Sequence, residues 1–166
     1  MASADLTAAR LRELLHYDPE TGVFTWRVTR PGGKANAGSL AGDINKKTGY
    51  RRIGILLQRH DAHRLAWLYV HGHWPIGMID HIDGNQKNNA IANLRDVNHR
   101  TNQENLKRAL SNNSTNLLGV SARRSRWIAR IVIRGKWTYL GTFGTPEEAH
   151  AKYVMAKREH HEGCTI

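Results

Sequence analysis

The sequence predicts an α+β protein with an N-terminal ββα unit, a supporting helix and strands, and then a three-stranded antiparallel sheet with a helix. Three observations predict this class. Residues 78–108 read as two short apolar strands around an Asp-Gly turn, followed by a capped helix. Leu118–Ala122, Trp127–Ile133 and Lys136–Phe143 read as three strands, of which the second alternates and is β-branched. Thr145-Pro146-Glu147-Glu148 then combines a cap, an early proline and acids, which is typical of a helix start.

The ββα unit is predicted from local signals along the chain. Met78–Ile82 is apolar and ends at the turn Asp83-Gly84, and Leu94–Val97 can form the returning strand. Asn98 is a good N-cap, so a helix is expected over His99–Arg108. Seven asparagines lie between Asn85 and Asn105, and asparagine is unfavourable inside helices and strands. The pattern therefore indicates tight loops, or side chains used as ligands and braces.

Residues 1–77 are expected to support this motif, which is too small to bury much surface alone. An apolar stripe predicts an amphipathic helix within 5–16, and Val23–Trp26 alternates as a strand. Residues 49–58 read as a strand and Gln58–Asp61 as the turn after it. Residues 63–71 fit a short helix with Trp67 against the core.

Composition points to a polyanionic partner. The chain of 166 residues carries a net charge of +11 and has a pI near 10.3, which favours nucleic acid, with an anionic membrane surface as the competitor. No apolar run approaches the roughly 20 residues of a membrane helix, and no basic-then-apolar leader opens the chain. A single cysteine, Cys164, excludes internal disulfides and zinc sites that need two cysteines.

Histidine pairs offer a second kind of metal site. His60 with His63, His71 with His73, and His160 with His161 have suitable spacing, but no carboxylate or cysteine partners stand beside them at ligand spacing. Surface or packing roles are therefore expected for all six.

A Ser/Asn/Thr-rich stretch at residues 112–116 reads as a linker between a first domain, 1–111, and a second, 117–166. From Leu118 to Leu140 there are six Arg or Lys residues and no acid, whereas acids lie on the following helix. One face of the small sheet is therefore expected to be basic, and such a sheet can enter the major groove of DNA.

Residues 78–105 resemble the HNH nucleases, in particular the phage and intron homing type. The residues that carry the resemblance are Asp80-His81, Asn93 within Asn93-Leu94-Arg95, and Asn102, where many members have His. The resemblance implies DNA cleavage with one Mg²⁺ or Mn²⁺ ion per site. It implies that His81 is the general base, that Asp80 and Asn102 hold the ion, and that Asn93 braces the His81 ring.

These residue types suit phosphodiester hydrolysis. A neutral imidazole can accept a proton near pH 7, and carboxylate and amide oxygens suit hard divalent ions. Neighbouring residues of a strand point to opposite faces, so Asp80 and His81 can serve one site only if the strand bends before Asp83.

Residues 117–166 resemble the AP2 DNA-binding domain through Gly119-Val120, Trp127 with Ala129, Tyr139–Phe143 and Pro146–Ala149. The resemblance implies base and phosphate contacts from the sheet, carried here onto Arg123, Arg126, Trp127, Arg130 and Tyr139. Charge alone adds Arg124, Arg134 and Lys136 as phosphate contacts. Packing is an equal alternative for Trp127, and Arg134 at a hairpin can simply be solvated.

Together these features predict a cytoplasmic, phage-encoded endonuclease acting on double-stranded DNA in a bacterial host. A monomer would nick the DNA and a homodimer would cut both strands. The alternative is a sequence-specific DNA-binding regulator with an inactive HNH fold. RNA is a third possibility, since charge does not choose between nucleic acids.

Overall fold

The computed structural model describes residues 6–30, 35–106, 109, 113, 115–161 and 164. Within these residues the chain is a mixed α+β protein with four α-helices and small antiparallel sheets. It divides into two compact units, Met1–Val97 and Asn98–Ile166. In the described part of the chain, no helix has both the length and the hydropathy that a membrane span requires.

The first unit starts with a helix and a β-hairpin and ends with the strands of the ββα motif. Its elements are α1 (Ala8–Leu14), β1 (Leu15–Asp18), β2 (Val23–Trp26), β3 (Asp43–Ile44), β4 (Arg51–Ile55), β5 (Gln58–Asp61), α2 (Ala62–His71), β6 (Met78–His81), a 3₁₀ turn (Ile91–Asn93) and β7 (Leu94–Val97). Three antiparallel sheets result: β1–β2, β3–β4–β5 and β6–β7.

One apolar core joins α1, α2, the β1–β2 hairpin, β4 and the two motif strands. Leu11 of α1, Phe24 of β2, Ile53 of β4 and Leu65 of α2 are fully buried, and the core reaches the motif strands through Ile79. The two motif strands have little apolar surface of their own, so this shared core is what anchors them.

The turn between β4 and β5 differs from the sequence expectation. Gln58–Asp61 forms strand β5 rather than a turn, and Ile55 pairs directly with Gln58. The turn is therefore Leu56-Leu57, with φ of 49° and 65°. Two left-handed residues define a type I′ turn, which normally takes Asn-Gly because a side chain there costs about 1–2 kcal/mol per residue. The turn was missed because its two leucines carry no turn signal.

The second unit contains α3 (His99–Glu104), β8 (Val120–Arg123), β9 (Arg126–Ile133), β10 (Lys136–Phe143) and α4 (Pro146–His160). The strands form an antiparallel sheet in the order β10–β9–β8. Helix α4 begins with a full capping box in which Thr145 and Glu148 bond each other's backbone. Its Ala149, Tyr153 and Ala156 pack against the sheet.

Helix α3 belongs by its contacts to the second unit. The buried Lys157 of α4 donates a hydrogen bond to the carbonyl of Leu106, just after α3. Within the described residues α3 ends at Glu104, and residues 107–108 of the longer predicted helix lie outside them. The predicted domain boundary at 112–116 also includes residues, 112 and 114, that are not described.

Candidate active site

Strand β6 carries two buried polar side chains in succession, Asp80 and His81. Asp80 lies directly opposite Arg95 of β7. The Nε and Nη2 atoms of Arg95 both approach Oδ2 of Asp80, at 2.9 and 2.8 Å. A buried carboxylate without such a partner would be costly, and the cross-strand arginine compensates for the burial of Asp80.

The imidazole of His81 is held by an asparagine. Its Nε2 lies 3.1 Å from Oδ1 of Asn89, and the His81 residue is only 4% exposed. An amide oxygen can only accept, so Nε2 must donate. In the neutral ring the lone pair is then on Nδ1, which is the arrangement a general base requires.

Asn89 is in turn fixed by the N-terminal hairpin. The hydroxyl of Tyr17 donates to the carbonyl of Asn89 over 2.7 Å, and both residues are buried. Burial, followed by the nearby charge of Asp18, raises the pKa of Tyr17 above its usual value. The hydroxyl therefore keeps its proton and stays a donor. The orientation of His81 thus depends on β1, more than sixty residues earlier in the chain.

Two further rings pack on His81. The His63 ring, from the first turn of α2, meets it edge-to-face with centroids 5.3 Å apart. Tyr50 lies against both, at 4.9 Å from His63 and 5.9 Å from His81. His63 is 8% exposed. These two rings leave His81 little freedom to rotate.

Burial lowers the pKa of His63 to about 4, with the neighbouring charges of His81 and Arg64 acting in the same direction and Asp61 opposing them. Between about pH 6.5 and pH 4, His63 therefore binds a proton in the unfolded chain but stays neutral in the folded unit. The contribution of His63 to folding stability is fully present above pH 6.5 and is lost as the pH falls towards 4.

We expect the His63→Phe variant to remove this pH dependence. The difference in unfolding free energy between wild type and variant should shrink by about 3 kcal/mol from pH 7 to pH 4. Chemical denaturation at several pH values measures it. His73→Phe, at an exposed position of the same unit, is the matched control. A difference that does not vary with pH would contradict the assignment.

The sequence led us to expect that Asn93 braces the ring of His81, and the hydrogen bonds that the structure gives its amide lie within the loop. Its Nδ2 donates to Oδ1 of Asp83 and to the carbonyl of Asn88, both over 2.9 Å, and its Oδ1 accepts from the Asp83 backbone at 3.0 Å. The Asn93 amide makes these bonds within the loop because Asn93 closes the loop that joins β6 to β7. Asn89, four residues earlier, makes the ring contact instead.

The loop carboxylate Asp83 is strongly hydrogen-bonded. Burial alone would raise its pKa, but bonds from the Asn85 backbone and from the amides of Asn88 and Asn93 outweigh this, and the pKa is lowered. The charge of His81 acts in the same direction. A charged Asp83 thus keeps the loop closed near His81.

Asn102, the second predicted metal ligand, lies on α3 in the other unit, and its backbone N–H bonds the carbonyl of Asn98 at 3.1 Å. The chemistry of Asp80 and Asn102 fits a hard divalent ion, because both offer oxygen donors. Any ion at Asp80 would share that carboxylate with Arg95. Among the described residues, no group of three or more His, Cys, Asp or Glu could hold a metal. Water and phosphate oxygens would have to complete the shell.

The predicted DNA-binding residues are largely on one face of the second unit's sheet. Arg123 pairs with Arg126, and Arg130 with Tyr139, so these four share the face away from the packed residues Val120 and Ala129. All four are exposed, as are the remaining three cations, which lie at turns or beside one: Arg124, Arg134 and Lys136.

Trp127 behaves differently from the other predicted contacts. It is half-buried and packs with Val120, Ala129 and Ala149. Trp137, which the sequence reading passed over, is 76% exposed and lies two residues before Tyr139 on the same face. Because side chains two residues apart on a strand share a face, the prediction for Tyr139 could have been extended to Trp137.

Four residues near His81 and Asp80 were also missed: Asn89, Tyr50, His63 and Arg95. Arg95 could have been found, because the register of the predicted strands β6 and β7 places it opposite Asp80. Tyr50 and His63 come from other elements of the chain, and Asn89 is one of several asparagines in its loop, so spacing alone does not single out any of the three.

Residues 60–104 match the family model of the HNH endonucleases. The matched HNH segment runs from β5 to the end of α3, and it includes His63, Asp80, His81, Asn89 and Asn102. The match supports an HNH nuclease, and an HNH endonuclease implies a DNA substrate. Neither the curated proteins nor the solved structures gave a match to this chain.

Proposed function

We propose that this protein is a metal-dependent DNA endonuclease that hydrolyses phosphodiester bonds with His81 as general base. One observation carries the proposal. Inside the HNH segment, the His81 ring is buried and oriented through Nε2 by Asn89, so that the lone pair lies on Nδ1.

Each nearby residue has a distinct part in the proposal. Nδ1 of His81 takes the proton from the attacking water, and Asn89 stabilises the imidazolium that forms. His63 and Tyr50 keep the ring in place. Asn93 acts through the loop, since its amide orders the turn at Asp83. The products carry 3′-hydroxyl and 5′-phosphate ends.

The metal is proposed to be one Mg²⁺ or Mn²⁺ ion held by Asp80 and Asn102. When bound, such an ion would stabilise charge on the scissile phosphate and on the departing oxygen. Arg95 holds the Asp80 carboxylate in one orientation for this purpose.

The AP2-like sheet is proposed to hold the substrate. Support comes from its exposed face, which combines arginines with Tyr139 and contains no acid between residues 118 and 140. Aromatic and guanidinium groups together suit bases and phosphates. We further propose a homing-type enzyme of phage origin, which nicks as a monomer and cuts both strands as a dimer.

Cleavage of supercoiled plasmid DNA tests the proposal. We expect relaxed circles or linear DNA with Mg²⁺ or Mn²⁺, and no product with excess EDTA, since the ion supplies charge stabilisation that the protein lacks. Gel mobility measures both products, and ligation of the nicks reports the 5′-phosphate. Readdition of the metal after EDTA is the control. Tight DNA binding without cleavage under any metal would instead favour the regulator with an inactive HNH fold.

A further inference from the structure

The tip of the β4–β5 hairpin consists of Leu56 and Leu57. Both residues adopt left-handed φ values, which L side chains rarely accept. Leu57 is fully exposed and Leu56 is 42% exposed. Asn-Gly at the same two positions would relieve the backbone and remove apolar surface from water. The core fixes this strained turn, but the exposed Leu57 side chain would gain further stability if a partner outside the unit buried it.

The charge around the tip indicates what the partner is. From Asp43 to Asp61 the chain carries five Arg or Lys residues and two acids, a net charge of +3, and the acids pair with Arg59 at 2.6 Å and Arg52 at 2.8 Å. Arg59 lies two residues after Leu57, and Arg30 reaches the hairpin through a 2.8 Å bond to the carbonyl of Gly54. An apolar point on a basic hairpin is complementary to a polyanion that has an apolar interior, such as stacked DNA bases or an anionic bilayer.

The position of the hairpin favours DNA. Strand β5 runs from the tip directly into α2, whose first turn places His63 against His81. Four residues of strand span about 13 Å, the length of about four base pairs. A duplex with its scissile phosphate at His81 is therefore within reach of Leu57.

We propose that Leu57, with Leu56 behind it, is a wedge that inserts between two base pairs of duplex DNA from the minor groove. This inference rests on the proposed function, because it takes DNA as the substrate. Arg59, whose guanidinium pairs with the exposed Asp43 in the free protein, exchanges that partner for a flanking phosphate. Insertion unstacks one base step and kinks the duplex, which brings more of the first unit against the backbone.

The test uses full-length protein carrying His81→Ala, so that the DNA stays intact. Anisotropy of a labelled mixed-sequence duplex gives affinity, and relaxation of plasmid by topoisomerase I in the presence of protein gives unwinding. We expect Leu57→Ala to weaken binding about tenfold, as the loss of one buried leucine implies, and to abolish the shift in topoisomers. Ile76→Ala, which removes a side chain 97% exposed in the same unit, should change neither result.

A turn variant separates the wedge from a folding effect. Replacing the tip by Asn-Gly (Leu56→Asn with Leu57→Gly) should raise the melting temperature by about 5 °C, because the strain is relieved. The same variant should lose as much DNA affinity as Leu57→Ala. Stability and binding then move in opposite directions, which a merely structural turn cannot produce.

Three outcomes would overturn the inference. Unchanged affinity and topoisomers with Leu57→Ala would remove the wedge but leave the proposed nuclease intact. Leucine-dependent binding to phosphatidylglycerol vesicles, without an effect on DNA, would identify a membrane anchor instead. Absence of both DNA binding and plasmid cleavage in the unmodified protein would refute the proposed function and the wedge together.

Discussion

Replacing His81 by alanine should lower the rate of DNA cleavage by about 10³-fold and leave DNA binding intact. General-base catalysis of this kind contributes about 10² to 10⁴ to a rate, and the Asn89 contact indicates that the ring is oriented for it. Single-turnover nicking of supercoiled plasmid measures the rate, and anisotropy measures binding. Circular dichroism checks that the buried position tolerates the change.

His73→Ala provides the matched control, because it removes an exposed histidine from the same unit. We expect it to cleave like wild type. Added imidazole should partly restore the His81→Ala variant, since a soluble base can enter the space left by the ring. Undiminished cleavage by His81→Ala would contradict its role as the base.

Gly22→Ala is expected to damage both stability and cleavage. Gly22 has a φ of +72°, and a Cβ there would lie 2.2 Å from the carbonyl carbon of Asn89 and 2.3 Å from the amide nitrogen of Ala90. Backbone strain and overpacking together should cost about 3–4 kcal/mol. Because Asn89 must shift, and Asn89 orients His81, the cleavage rate should also fall about 10- to 100-fold. Denaturant unfolding and single-turnover nicking measure the two effects.

The Gly38→Ala variant has the backbone strain but not the steric clash, so it measures the effect of the strain alone. Gly38 has a φ of +83°, but nothing lies within 4 Å of the position its Cβ would take. It should lose only about 1–2 kcal/mol and cleave normally. If Gly22→Ala cleaves as well as Gly38→Ala under conditions where both are folded, the hairpin does not position Asn89.

The local sequence was sufficient for the elements with strong signals. The predicted strand Lys136–Phe143 has the bounds found in the structure, and Thr145-Pro146 starts α4. Asn98 caps α3, as its type and place predicted. In each case short-range hydrogen bonding and side-chain alternation decide the conformation, so adjacent residues hold the necessary information.

The sequence was misleading where tertiary packing overrides local preference. Leu56-Leu57 has no turn propensity, yet it is the turn, because the core positions of Ile53 and Ile55 fix the register of β4 against β5. Asn93 and Asn89 are chemically identical and four residues apart, and only the path of the loop decides which one reaches His81.

The sequence by itself determined the α+β class, the basic character of the chain and the segment that carries Asp80, His81 and Asn102. Those features depend on residue types and on spacing within a few tens of residues. Only the tertiary structure decided that Tyr17, Tyr50 and His63 support the candidate base. The reason is physical: a buried ring is oriented by whichever atoms the fold packs around it, and these come from strands and helices far apart in the chain.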